Sequence, residues 1–364
     1  ASVGELILFL VMILFPGIDL GLRFKMLFVV LILRIIMGGI VWLVLQKNEK
    51  PKRKVSTVFG CFLSISIIAM SMLPSYIFAD YDGLPTSGEY SVATAKAILV
   101  DESRVETFET DGSHREVPVY FFYPEEAFEQ NMPVVFFSHG AFGYYQSNYS
   151  TYAELASHGY IVISMEHPYH SIFTKDTSGK IIMADREMLN NTMRIQDKKD
   201  ESITEEEIYD ITNEWIELRL ADANFVIDSV KQATKENALS DAWNVRGKDE
   251  EQILKLLGMM DFEHMGFMGH SLGGATAVSV GRIREDIDAV IDLDGTMIGE
   301  ILEVENGIDI VNTESYPVPL LSIDNHEHHY ERMAAMEKGE VYSNNVVHEN
   351  AIVGYNTYIK DSGH

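Results

Sequence analysis

Gly269-His270-Ser271-Leu272-Gly273-Gly274 is the stretch whose reading decides the fold. It has the pattern Gly-x-Ser-x-Gly, a nucleophile elbow. The apolar, β-prone run His264-Met265-Gly266-Phe267-Met268 leads into it, and an alanine- and valine-rich helical run, Ala275 to Ile283, leads out. A strand that turns this sharply into a helix strains its turn residue, and Gly269 and Gly273 remove the Cβ atoms that would collide there. Ser271 is then lifted above a sheet. The helix behind it offers unpaired N–H groups and the positive end of a dipole, both suited to a developing oxyanion. The competing reading, a glycine turn that only packs a strand on a helix, explains neither the flanking elements nor the extra Gly274.

Outward from the elbow, the chain alternates strand and helix patterns. Ala93–Val100 and Val117–Tyr123 read as strands, and Pro133–Ser138 is a continuous apolar run of the buried parallel type. It ends at His139-Gly140-Ala141-Phe142-Gly143. A helix over Ser150–Ser157 and a strand over Tyr160–Met165 follow, so βαβ units and a mostly parallel sheet are expected. Residues 171–200 are polar and read as irregular. Ile208, Ile211, Trp215, Leu218, Ala221 and Phe225 then recur three or four apart, the stripe of one long amphipathic helix. Thr204 with Glu207 three residues on forms a capping box at its start. Residues 171–260 are thus expected to be a helical insertion covering the sheet. Ile287–Leu293, Val318–Ile323 and Ala351–Ile359 read as further strands, and Glu327–Lys338 as a helix.

A serine hydroxyl needs a base to take its proton and an acid to orient that base. In a fold of this kind they follow in the order Ser, Asp or Glu, His, on loops after strands. Asp294, at the end of the strand after the elbow helix, is the expected acid, with Asp292 two residues back as its rival. His364, in the turn Asp361-Ser362-Gly363-His364, is the expected base. Its rivals are His326, His328 and His329, read as a surface loop after Val318–Ile323. Their spacing matches no metal motif, and no metal or organic cofactor is expected. Leu272 N–H is one expected oxyanion donor. The other is Ala141, with Phe142 as the alternative, because the His139-Gly140 turn sits where the second donor lies in such folds. His139 and His270 are expected to shape their loops.

The N-terminal region differs in composition. Residues 1–54 hold eight Lys/Arg against three acids, whereas the remainder holds 20 against 52. That acidity argues against nucleic acid as a partner, which requires a basic footprint. Met26–Leu45, interrupted by Arg34, and Val55–Phe78 are apolar runs near the length of a bilayer span, and residues 3–15 are an apolar run short for one that could be the end of a clipped transmembrane helix. Two to three transmembrane helices are expected over residues 1–79. The basic loop 46–54 should stay cytoplasmic, leaving everything after Asp80 on the extracytoplasmic side of the cell membrane. Residues 80–90 read as a linker, and 91–364 as the catalytic domain. The lone Cys61 excludes an intrachain disulfide. The chain starts at Ala1 and stops abruptly at His364, so native termini beyond both are expected.

Taken together, these residues resemble the plasma-type platelet-activating factor acetylhydrolases and their bacterial relatives, which are α/β-hydrolases. The resemblance rests on Arg115-Glu116-Val117-Pro118-Val119 leading to Tyr123-Pro124, on Phe137-Ser138-His139-Gly140 and Glu166-His167-Pro168, and on Arg219-Leu220-Ala221-Asp222. It continues through Gly269 to Thr276 and Leu293-Asp294-Gly295, and spans roughly residues 90–364. It implies Ser271 as nucleophile, Asp294 as acid, His364 as base and Leu272 and Ala141 as oxyanion donors. It also implies phospholipids with short or oxidised acyl chains as substrates. Alternatives are a general carboxylesterase or lipase acting on soluble or polymeric esters, acyl transfer by the same residues, and a non-catalytic membrane scaffold that keeps the hydrolase fold.

Overall fold

The structure, a computed structural model, describes residues 2–14, 22–45, 54–77, 84–126, 131–196 and 203–364. The chain divides into two compact units, Ala1–Leu84 and Pro85–His364.

The first unit is helical: α1 (Ser2–Leu14), α2 (Leu22–Leu45), α3 (Lys54–Ser71) and α4 (Leu73–Ile77). Phe9, Leu27 and Leu31 form its small buried core. Arg34, which interrupts the apolar run of α2, is paired with Glu5 of α1 at 3.1 Å and also bonds Ser64 of α3. No helix among the described residues is long and apolar enough to cross a membrane, so the expected transmembrane helices are not supported. α1 has 13 residues and α3 has 18, against the roughly 20 that a bilayer requires. α2 has the length but carries Arg23, Lys25 and Arg34. The basic loop over 46–53 and the first part of the expected linker fall outside the described residues.

The second unit opens with β1 (Val92–Val105), β2 (His114–Pro124), β3 (Met132–Ser138), α5 (Tyr149–Ser157) and β4 (Ile161–Met165). The region expected to be irregular contains a small hairpin, β5 (Phe173–Lys175) and β6 (Ile181–Met183), and a helix, α6 (Arg186–Gln196). Next come α7 (Glu205–Glu236), β7 (Trp243–Asn244), α8 (Lys248–Leu257), β8 (Met260–His270), α9 (Leu272–Ile283) and β9 (Ala289–Leu293). A second hairpin, β10 (Ile301–Glu305) and β11 (Ile308–Val311), precedes β12 (Leu320–Asp324), α10 (His326–Lys338), α11 (Ser343–Glu349) and β13 (Gly354–Tyr358).

One nine-stranded sheet runs β13-β12-β9-β8-β3-β4-β2-β1-β7. β4, β3, β8, β9, β12 and β13 are mutually parallel, and β2, β1 and β7 add antiparallel pairs at one edge. Helices cover both faces because adjacent residues of a strand point to opposite sides. Phe136 belongs to the core that the sheet shares with α7, α8 and α9, whereas Phe137 belongs to a second cluster with Tyr152 and Ala156 of α5. This is the α/β-hydrolase architecture. Thr204 caps α7 as expected, accepting from the Glu207 N–H at 3.2 Å, while the Glu207 carboxylate pairs with Arg194; α7 ends at Asn237 in the left-handed region. Residues 171–260 are more than a cover. Val226, Ile227 and Val230 of α7 lie in the main core, and β7 extends the sheet.

Candidate active site

Three loops at the C-terminal ends of parallel strands meet at the elbow. β8 and α9 are joined through Ser271, whose φ of 54° lies in the left-handed region. The glycines around it are a packing necessity. A Cβ on Gly269 would stand 1.9 Å from Gly273 O, and one on Gly273 would stand 2.0 Å from Ser138 O. β9 delivers Asp294, also at positive φ (58°). The two turns are tied together, because Ser271 N–H donates to Leu293 O at 2.8 Å and Asp294 N–H donates to Ile323 O at 3.0 Å.

Past β13, the final turn brings His364 between the two side chains. Its Nε2 lies 2.8 Å from Ser271 Oγ and its Nδ1 2.5 Å from Asp294 Oδ2. Asp294 is also held by Asn325, whose backbone N–H and Nδ2 donate to it at 2.7 Å each, and by His328 Nδ1 at 3.0 Å. Burial pushes the Asp294 carboxyl up, but the hydrogen bonds from His328, His364 and Asn325 prevail and hold it well below the usual range. The hydrogen bond to Asp294 in turn raises the His364 imidazole above its ordinary value, against partial burial. His270 packs its ring 5.0 Å from that of His364.

Asp292, the rival acid, is fully buried and accepts from Gly295 N–H and Ser322 Oγ. Burial raises its carboxyl well above the usual range, and the geometry brings Asp294, not Asp292, to His364. The histidine cluster differs from expectation. His326, His328 and His329 occupy the first turn of α10, not a surface loop. Successive helical residues point about 100° apart, so His328 alone of the three is buried, with its Nδ1 on the acid. Asn325, the α10 N-cap, and His328 are the site residues that the sequence reading missed as partners of Asp294. The one available signal was an Asn directly after a strand and before a helical pattern. Asp294, Asp324 and His328 bring one ligand-type atom each within 4.8 Å of one another. Arg332 bonds Asp324 Oδ2 at 2.5 Å, and His364 bonds Asp294.

Leu272 is the first residue of α9, where the backbone N–H has no partner inside the helix. Across from it, Gly140 presses on the elbow: a Cβ there would lie 3.2 Å from Ser271 Cβ. Phe142 N–H is spent on His170 O at 2.9 Å and so is not available to a ligand. Met188, Trp215, Ile216, Ala141, Phe142 and Ile298 pack with Leu272 and Ala275 into an apolar wall beside the serine.

A strained serine at a strand–helix turn, with a histidine and an aspartate in hydrogen-bond series behind it, defines an α/β-hydrolase of the serine ester hydrolase class. The chain belongs to the platelet-activating factor acetylhydrolase, isoform II family, whose profile matches residues 106–353. Among solved structures, the ferulic acid esterase from Streptomyces cinnamoneus is similar, at 18% identity over 78% of this chain and 76% of that one, with a TM-score of 0.48. A dienelactone hydrolase-like promiscuous phosphotriesterase, P91, from metagenomic libraries aligns at 13% identity over 75% and 83%, with a TM-score of 0.37. No curated protein sequence matches.

Proposed function

We propose that this protein is a serine esterase that removes short or oxidised acyl chains from phospholipids, with Ser271 as nucleophile, His364 as base, Asp294 as acid and Leu272 and Ala141 N–H as oxyanion donors. The observation that carries the reading is the unbroken series Ser271 Oγ, His364 Nε2 and Nδ1, Asp294 Oδ2, with contacts of 2.8 and 2.5 Å. His364 takes the Ser271 proton as Oγ attacks the ester carbonyl, and the two N–H groups receive the oxyanion. Collapse expels the alcohol, which takes its proton from His364. Water, activated by the same imidazole, then attacks the acyl-enzyme and frees the carboxylic acid. The family name points to acetyl esters of phospholipids, and the apolar wall of Met188, Trp215 and Ile216 suits a short acyl chain.

We further propose that the N-terminal unit holds the protein at a cell membrane, with the catalytic unit on the extracytoplasmic side. Phe62, Ile65, Met70 and Leu8 are all more than 60% exposed in that unit, a larger apolar surface than a protein in water normally presents.

The test is a substrate panel: a short-chain 2-acyl phospholipid against p-nitrophenyl butyrate and a long-chain diacyl phospholipid. Faster turnover of the short-chain phospholipid, with a fluorophosphonate adduct on Ser271 by mass spectrometry, is the expected result. A preference for p-nitrophenyl butyrate would make the protein a general carboxylesterase. No adduct on the folded full chain would remove the enzyme reading altogether. Membrane attachment is read by flotation with lipid vesicles, where recovery of all the protein from the dense fraction would refute it.

A further inference from the structure

We propose that Arg219 is a positioning residue for the reaction: its guanidinium orients the Gly140–Ala141 peptide so that the Ala141 N–H faces the oxyanion. The proposal rests on the serine esterase reading and adds to it the device that sets the second donor.

α7 presents Arg219 from its inward face, with no exposed surface at all. The guanidinium lies along the carbonyls of the loop after β3. Nη1 donates to His139 O at 2.5 Å and Nη2 to Gly140 O at 3.4 Å. Nε donates to His170 Nδ1 at 3.3 Å, and the His170 carbonyl is the one that receives Phe142 N–H. One planar fork therefore grips both ends of the loop. Two further donors turn the same carbonyl inward. Gly143 N–H reaches Gly140 O at 3.1 Å, and His139 Nδ1 reaches it at 2.6 Å. The tautomer follows from the partners: His139 Nε2 accepts from His167 N–H and lies 2.8 Å from Ser171 Oγ, so the proton sits on Nδ1.

Among the described residues there is no cis peptide bond. In a trans peptide the N–H points opposite to the C=O of the same unit. With Gly140 O turned toward Arg219, Ala141 N–H points away from it, toward the side where Gly140 presses on His270 and Ser271. The loop is thus held between a guanidinium on one side and the nucleophile elbow on the other.

The electrostatics indicate a purpose beyond packing. Asp222, one helical turn along, is occupied by Arg115, Arg104 and His167. Among the described residues Arg219 makes no ion pair, and its bonds go to carbonyls, an imidazole and the Ser138 hydroxyl. Burial brings its dissociation down to about 9, against the pull of Asp222. A buried cation hydrogen-bonded only to neutral groups is an unfavourable way to join a helix to a loop. It is a favourable way to hold peptide dipoles in one orientation next to a site where negative charge develops.

The experiment compares Arg219→Met and Arg219→Lys with the unaltered full chain. Readouts are kcat, KM and inhibition by an alkyl trifluoromethyl ketone, whose hemiketal oxyanion needs the same donors. Loss of one oxyanion donor lowers kcat by roughly 100-fold or more. R219M should show that fall with KM within about threefold, and inhibitor affinity should weaken by the same factor as kcat/KM. R219K, which keeps charge but cannot fork across two carbonyls, should recover only part of the loss. A folded R219M with unaltered kcat and inhibitor affinity overturns the proposal. Should R219M fail to fold, R219K decides, since full activity and full inhibition there overturn it equally. Failure of the esterase reading looks different: the unaltered protein itself would neither turn over esters nor bind the ketone.

Discussion

Among the described residues, the catalytic unit contains two Ser–His–Asp series, and they differ in almost everything but their distances. In one, Ser271, His364 and Asp294 are linked by contacts of 2.8 and 2.5 Å. In the other, Ser138 Oγ lies 2.9 Å from His167 Nε2, and His167 Nδ1 lies 3.0 Å from Asp222 Oδ2. The His364 side chain is 57% exposed, whereas His167 and Asp222 have no exposure. The electrostatics diverge accordingly. Asp294 raises the His364 imidazole above its ordinary value. Burial and the Arg219 charge push His167 down to about 4, so it stays a neutral imidazole. Asp222 is bound by Arg115 through two contacts of 3.1 and 2.7 Å and by Arg104 at 2.9 Å. The Ser271 series has a reachable hydroxyl beside a helix N-terminus, while the other is a closed polar strut beneath the oxyanion loop. Connectivity alone does not make a catalytic triad; access, an ionisable base and adjacent donors do.

The comparison breaks most directly at the serines. Ser271→Ala should lower kcat on p-nitrophenyl butyrate by about 10⁴-fold or more, while Ser138→Ala should stay within about tenfold. Equal losses in the two variants would mean that the contrast drawn here is wrong. The acids should separate chemistry from stability. Asp294→Asn is expected to reduce kcat by about 10⁴-fold per folded molecule. Asp222→Asn should instead cost about 3–5 kcal/mol of stability, because Arg115 is left buried without its main counter-charge, and the fraction still folded should remain active. Denaturant melts alongside specific activity per folded molecule would check this.

The bases should differ in pH dependence. His364 acts only when deprotonated, and its folded value lies above 6.5. The acid limb of kcat/KM should therefore fall above pH 6.5. His167, near 4, should add no limb in that range. A limb at or below 6.5 would contradict the Asp294–His364 coupling. The smallest effect concerns Glu166, next to His167 in the chain. Burial raises its carboxyl to about 7, against the hydrogen bonds from Tyr145 N–H and Tyr120. A group raised in the folded state stabilises fully below its unfolded value, near 4.5, and loses that contribution as pH rises through about 7. The Glu166→Gln variant should lack this decline, worth on the order of 3 kcal/mol. Parallel urea melts at pH 5 and pH 8 would reveal it, and identical slopes in both proteins would exclude it.

Much of this arrangement was readable in advance, for reasons visible in the residues. Gly269, Gly273 and Ser271 carry a backbone constraint that few other folds require. Asp294 stands beside a glycine at the end of an apolar run. Thr204 and Glu207 announce α7. By contrast, α6 lies in a mainly polar stretch and buries only Met188 of its 11 residues, so the stretch read as irregular. β7 has two residues and the β5 and β6 strands three each, too few for alternation to register. The buried series escaped as a unit because Ser138, His167 and Asp222 each read as an ordinary polar residue, and only the fold brings them together. Arg219 and Asp222 did leave a trace: two charges set in line with Ile216, Ala223 and Val226, on the face of α7 that turns inward. The apolar N-terminal runs formed helices as their composition implies, but the three cations of α2 and the shortness of α1 depart from a spanning pattern.

His364 follows β13, which sits at the margin of the sheet, with Leu320–Asp324 as its one neighbouring strand among the described residues and four of its five residues exposed. Marginal strands detach with less free energy than central ones. Peeling of β13 would carry the imidazole out of reach while β8, β9 and the elbow stay folded. The enzyme would then have a dormant form that is native almost everywhere, and gentle warming would silence it before the rest of the molecule melts.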